Sequence, residues 1–257
     1  MTSQGTPEAP ETLHGQGLAL AEACASLFRL IVIVLFLHTF VLQPFMIPSE
    51  SMERTLLVGD FLLFNKQVYA PGGRFTSWLL PYREVRRGDI VVFHHPQPKY
   101  LVKRVLGLPG DRLRIRDGRV WINGQPLNEP YAVFEPVGPN QTQFNFPARF
   151  YDPPNPEVNP EWWEQMRRLT KDDDLVIPAG QYFVLGDNRN HSKDSRYWGF
   201  VDRNEIVARP LVIYFSLTEP STTDAQLAAD DRLGHDRDGP GRLIGFARWK
   251  RIFQVVR

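Results

Sequence analysis

Asp89-Ile90-Val91-Val92-Phe93 and, after a polar break, Tyr100-Leu101-Val102-Lys103-Arg104-Val105 are two strand-length runs rich in β-branched and aromatic residues. The turn Leu108-Pro109-Gly110-Asp111 closes the second run. The same grammar repeats outward from this pair. Asp60-Phe61-Leu62-Leu63-Phe64 lies upstream and Gln181-Tyr182-Phe183-Val184-Leu185 downstream, with turn residues at Pro71-Gly72-Gly73, Arg116-Asp117-Gly118-Arg119 and Asn123-Gly124. Asn-Gly is a strong hairpin signal. The expected fold is mainly β, with an antiparallel core, and 22 prolines against 19 glycines suit a loop-rich β body better than a helical bundle.

Around that core the chain divides by composition. Residues 1–26 read as a tail, 46–132 and 176–217 as the two parts of the β core, and 242–257 as a C-terminal strand region. Between them, 133–175 is rich in Pro and Asn and is expected to be an inserted loop-rich region, with a short helix at Glu161–Met166. Residues 218–241 are Asp-rich and low in apolar residues, which predicts a polar loop. Lys and Arg total 30 against 29 Asp and Glu, a net charge of +1 that offers nucleic acid no bulk attraction. A single cysteine, Cys24, excludes an intramolecular disulfide, and His94-His95 lacks ligand spacing, so neither metal nor cofactor is expected.

Leu27 to Phe45 is apolar over nearly its whole length, unbroken from Leu30 to Leu37, and is predicted to be a transmembrane anchor. Glu8, Glu11 and Glu22 stand where a cleaved secretory signal needs positive charge, which favours a retained anchor. No Lys or Arg precedes Arg29, so loop charge does not set the orientation. A second lipid contact is expected at Gly72–Arg83, where Phe75, Trp78, Leu79 and Tyr82 accompany Arg74 and Arg83; core packing is the competing reading.

Pro48-Ser49-Glu50-Ser51-Met52 follows the apolar segment closely, placing two hydroxyls near the lipid surface. Alone, such serines are turn or cap residues. Lys103 changes the reading, because period-two alternation puts it on one face with Leu101 and Val105 and sends Arg104 to the other. Apolar surroundings lower a lysine's pKa, which suits it to act as a general base toward a serine hydroxyl. The polar segment from Gly186 to Gly199 directly follows an apolar strand; Asp194 with Arg196, and Asp187 with Arg189, are expected to pair and fix its shape. Ser192 in that segment is the candidate for orienting the lysine amine.

Four stretches, Pro48–Met52, Arg87–Phe93, Lys103–Asp111 and Gly186–Arg196, resemble in order the conserved boxes of bacterial type I signal peptidases. The resemblance implies Ser51 as nucleophile, Lys103 as general base, Ser49 as an oxyanion-hole hydroxyl and Ser192 as a hydroxyl that positions Lys103, with Asp194 and Arg196 supporting the site. It implies pockets for small side chains lined by Phe45, Ile47, Met52, Leu62, Val92 and Val102. The expected partners are signal-peptide-bearing preproteins and the lipid bilayer. The expected location is the bacterial plasma membrane, single-pass, with an all-β catalytic domain outside the cytoplasm. Arg248–Phe253 resembles the family's last strand. One departure is Arg54, where the family commonly has Pro, which predicts a less rigid turn.

Three competing readings differ in chemistry. A Ser-His protease would use His191 with Asp187 or Asp194, but no Gly-x-Ser-x-Gly elbow is present. A self-cleaving Ser-Lys repressor would need a DNA-binding helical domain where the apolar segment stands. An inactive membrane-anchored binding protein of the same fold would have no reason to hold Ser49, Ser51, Lys103 and Ser192 together.

Overall fold

The computed structural model describes residues 11–36, 42–69, 83–94, 100–135, 144–147, 156–218 and 247–257, with side chains from Leu20 onward in the first helix. The chain divides into two compact units, one through Leu42 and one from Gln43.

The first unit holds helix α1, Glu11–Phe36. Its apolar side chains from Leu27 to Phe36 are exposed, Phe28 at 67%. Among the described residues no helix is long and apolar enough to cross a membrane. The helix expected over Leu27–Phe45 is therefore placed differently: it begins at Glu11, and Leu42–Met46 is a strand. Pro44 accounts for the change at the C-terminal end, since a proline inside a helix removes an N–H donor and clashes with the preceding turn.

The second unit is built of strands β1 Leu42–Met46, β2 Asp60–Asn65, β3 Ile90–His94, β4 Tyr100–Gly107, β5 Arg112–Arg116, β6 Arg119–Ile122, β7 Gln125–Pro126, β8 Thr170–Lys171, β9 Asp174–Val176, β10 Gln181–Leu185, β11 Val201–Asp202, β12 Ile206–Ser216 and β13 Gln254–Val255, with helices α2 Pro160–Leu169 and α3 Ser195–Trp198. Eight strands form one sheet in the order β1-β2-β12-β3-β4-β10-β11, with β13 added to β12; five form a second, β7-β6-β5-β9-β8. Among the described residues the strand pairs are antiparallel, apart from an isolated parallel bridge between Val133 and Asn188.

Turn chemistry sets the second sheet. Asp117 and Gly118 have φ of 49° and 76°, and Asn123 and Gly124 have 51° and 79°. Both pairs fit the primed turns whose twist matches a hairpin. Asp172 and Asp173 do the same between β8 and β9, at 49° and 64°. That third turn corrects the expectation for 133–175. Residues 170–176 belong to the sheet rather than to a loop, because aspartate tolerates the left-handed region nearly as well as asparagine. Helix α2 starts on an Asn159 cap with Pro160 at its first position, and buries Trp162 and Met166 against this sheet. Arg248–Phe253 is also not a strand. Trp249–Arg251 forms a 3-10 turn, and only Gln254–Val255 pairs with β12. Residues 72–82 of the second lipid-contact segment, and 219–241 of the polar stretch, lie outside the described residues.

The apolar cluster that supports the site joins Ile47, Met52, Leu56, Leu62, Phe64, Ile90, Val92 and Val102. It ties β1, β2, β3 and β4 to the segment that carries Ser51.

Candidate active site

Ser51 lies on a 3-10 turn, Glu50–Met52, that leaves the extended Ser49. Met52 at 1% exposure and Leu56 at 0% sink into the cluster below and fix the turn from its apolar side. Backbone bonds fix it from the other: Glu53 N to Glu50 O at 2.9 Å and Leu56 N to Met52 O at 2.8 Å. Arg54, within this turn, has φ of 83°. Proline, locked near −65°, cannot adopt that angle. A proline at position 54 would not fit this turn, which is held by its own hydrogen bonds.

Strand β4 brings Lys103 to this serine, with Nζ 2.7 Å from Ser51 Oγ and 3.1 Å from the Val102 carbonyl. Lys103 is 4% exposed. Burial pushes its pKa down to about 8; the Asp194 and Asp187 carboxylates oppose that fall, and the Arg196 guanidinium adds to it. An amine that deprotonates near neutral pH, against a hydroxyl at hydrogen-bonding distance, can accept that hydroxyl's proton.

Ser49 Oγ stands 3.5 Å from Ser51 Oγ. Ser192 is buried beside Gly186, and among the described residues its hydroxyl has no hydrogen-bond partner, though it is close enough to Asp194 to help hold that carboxyl ionised. The bond expected between Ser192 and the lysine amine is not formed, and the Lys103 amine reaches Ser51 and the Val102 carbonyl instead. Gly186 explains the crowding. A Cβ there would stand 2.3 Å from Ser192 Oγ and 2.4 Å from the Ser51 carbonyl oxygen, so only glycine lets the loop after β10 lie against the serine turn.

Asp194 and Arg196 pair as expected, with Nε to Oδ1 at 2.8 Å and both side chains almost wholly buried. Burial alone would raise the Asp194 carboxyl, but Arg196 and the Gly186 N–H hold it below its usual value. The expected Asp187–Arg189 pair does not form. Asp187 instead takes Arg104 in two bonds, 2.8 and 2.7 Å, together with the Thr55 hydroxyl at 2.5 Å, while Arg189 reaches Glu129. Pleating directs Arg104 away from Lys103, and its guanidinium sits 3.9 Å over the Tyr131 ring. A wholly buried carboxylate takes the bidentate partner that the fold delivers, not its neighbour in sequence.

A cavity of about 140 Å³ opens beside Ser51 and Lys103. Phe45, Ile47, Met52 and Val102 line it, with Tyr100 and Leu101. Leu62 and Val92 are not in its wall, since both are 0% exposed within the cluster beneath. His191 is exposed, and its Nδ1 lies 3.2 Å from Glu50. Because Asp187 and Asp194 are held by arginines, no Ser-His-Asp relay forms.

Two supports carry no local sequence signal. Arg251 reaches the Thr55 carbonyl at 3.0 Å and the Asp60 carboxylate at 2.5 Å, and Arg248 donates to Ser216 Oγ at 2.8 Å, so the last described segment pins the exit from the serine turn. Thr55 joins this network to Asp187.

Residues 20–215 match the family described as signal peptidase, peptidase S26. Signal peptidase I of Pseudomonas aeruginosa is 34% identical over 236 residues, covering 85% of this chain and 80% of that protein. Signal peptidase I of Leptolyngbya laminosa is 32% identical over 232 residues, covering 84% and 93%, and that of Aquifex aeolicus is 31% identical over 232 residues, covering 77% and 85%. With the match running through the serine turn, β4 and the loop after β10, the chain belongs to the signal peptidase family, peptidase S26.

Proposed function

We propose that the chain is a serine endopeptidase that removes signal peptides from preproteins, with Ser51 as nucleophile and neutral Lys103 as general base. The observation that carries this reading is the 2.7 Å contact between the Lys103 amine and the Ser51 hydroxyl in buried surroundings. Lys103 takes the Ser51 proton as Ser51 attacks the scissile carbonyl. The ammonium then protonates the departing amine, and water hydrolyses the acyl-enzyme. Ser49, whose Oγ is 3.5 Å from Ser51 Oγ, donates to the developing oxyanion, with the Ser51 N–H as the second donor; one such donor is worth about 3 kcal/mol of barrier in serine proteases. Phe45, Ile47, Met52 and Val102 offer a narrow apolar cavity suited to small side chains. Membrane anchoring belongs to the same proposal. It rests on the apolar run that ends α1 and on the exposure of Leu27, Phe28 and the residues from Leu30 to Phe36, with the catalytic unit outside the cytoplasm, where translocated precursors emerge.

The test is incubation of the detergent-solubilised chain with a synthetic precursor whose signal ends in Ala-x-Ala, with mass analysis of the products. A single cut after the second Ala is expected. Since protonated Lys103 cannot accept the Ser51 proton, kcat/KM should climb with pH to a plateau, the midpoint lying near 8. A rate still rising through pH 10 would show an ordinary, solvated lysine. Gly186→Ala is expected to lower kcat by about 10²-fold, the loss typical of a misplacement near 1 Å, because its methyl must push the serine turn or Ser192 aside. Full activity in that variant would mean that the loop and turn need not touch.

A further inference from the structure

The serine turn contributes to two cavities that share no lining residue, the apolar one that Ser51 enters and a second, larger one. The larger, about 450 Å³, takes Glu50, Glu53 and Arg54 from that turn, with Val133, Glu135, Asn188 and His191 also in its wall. Asn188 joins that wall to the serine turn. Its N–H donates to the Ser51 carbonyl at 3.1 Å and its side-chain amide to Glu53 at 3.3 Å. Glu135 is fixed by paired bonds with Asn190, 2.9 and 2.8 Å. The wall therefore carries three carboxylates against one guanidinium and the His191 imidazole, which stands 3.2 Å from Glu50, and all three carboxylates are attached to backbone that is itself held in place.

The reaction needs space on both sides of Ser51. If the acyl half of the scissile bond occupies the apolar cavity, the amine half must leave on the opposite side. An extended chain advances roughly 3.3 Å per residue, so its first few residues pass over the second cavity. Building on the endopeptidase reading, we propose that this cavity receives the start of the released mature chain and selects positive charge there, from Lys or Arg side chains close to the cut. Each exposed pair contributes little and is screened by salt, so the combined preference amounts to about tenfold at low ionic strength and less at high.

Three synthetic precursors test this. They are identical through Ala-x-Ala and carry Lys-Lys, Ser-Ser or Glu-Glu at the second and third mature positions. With the full chain in detergent, kcat/KM should fall in the order Lys, Ser, Glu, and added salt should compress the spread. Glu53→Lys combined with Glu135→Lys should reverse the order; because each comparison is made within one protein sample, partial unfolding of the variant cancels. Equal rates for all three precursors, faster cleavage of the Glu precursor by the parent, or an unchanged order in the double variant would overturn the proposal. Failure to cleave any precursor would instead overturn the endopeptidase reading, and this inference with it.

Discussion

Lys103→Met is expected to reduce cleavage by about 10⁴-fold or more, in line with the loss of a nucleophile's partner in other serine hydrolases, and at the same time to stabilise the folded protein at pH 7. The two effects share a cause. The Lys103 ammonium is 4% exposed, and burial lowers its pKa from 10.5 to about 8. Below pH 8 the amine is charged whether the chain is folded or not, so the cost of burying it is present in full. Between pH 8 and 10.5 the folded state releases the proton first, the unfolded state holds more protons, and stability rises with pH. Above that window the cost has gone. The gap corresponds to about 3 kcal/mol, from which the lost hydrogen bond to Ser51 removes about 1, leaving a gain of about 2 kcal/mol for methionine at pH 7. Urea titrations of parent and variant at pH 7 and pH 10 measure it. The variant's advantage should shrink at the higher pH, and an advantage independent of pH would show that the ammonium is not desolvated.

The parts of this site that were legible in the sequence are those governed by short-range rules. Alternation along a strand separates Lys103 from Arg104 on opposite faces, and a serine turn following an apolar segment needs only local spacing to be noticed. Asn123-Gly124 and Asp117-Gly118 announce hairpins because the residues themselves favour positive φ. What was not legible depends on which distant groups the fold brings into contact. Asp187 and Arg189 are near neighbours, yet each finds a better partner far along the chain, Arg104 and Glu129. Leu62 and Val92 are as apolar as Val102, and only packing decides that Val102 reaches the cavity while the others lie beneath it. The strand at Leu42–Met46 was hidden because its apolar residues continue a helix-like run, and Pro44 alone signalled the change.

Asp194→Ala is expected to destabilise the protein by about 3–5 kcal/mol, since it leaves the buried Arg196 guanidinium without its counter-charge. The carboxylate does more than pair. It accepts the Gly186 N–H at 3.0 Å and caps α3 through the Arg196 N–H, so it joins the loop after β10 to the helix that follows. Charge and shape can be separated. Asp194→Ala combined with Arg196→Leu removes the orphaned cation and should recover most of the charge penalty, while the loop's lost hydrogen bonds remain. Asp194→Asn keeps one acceptor for Gly186, removes the charge and turns the second acceptor, which Arg196 uses, into a donor. That charge is the strongest influence holding the Lys103 pKa up against burial, so the acid limb of the Asp194→Asn pH-rate profile should move to lower pH even as its denaturation midpoint falls. A variant that lost stability with its acid limb unmoved would show that Asp194 supports the loop without acting on the lysine. A limb displaced to higher pH would contradict the electrostatic sign altogether.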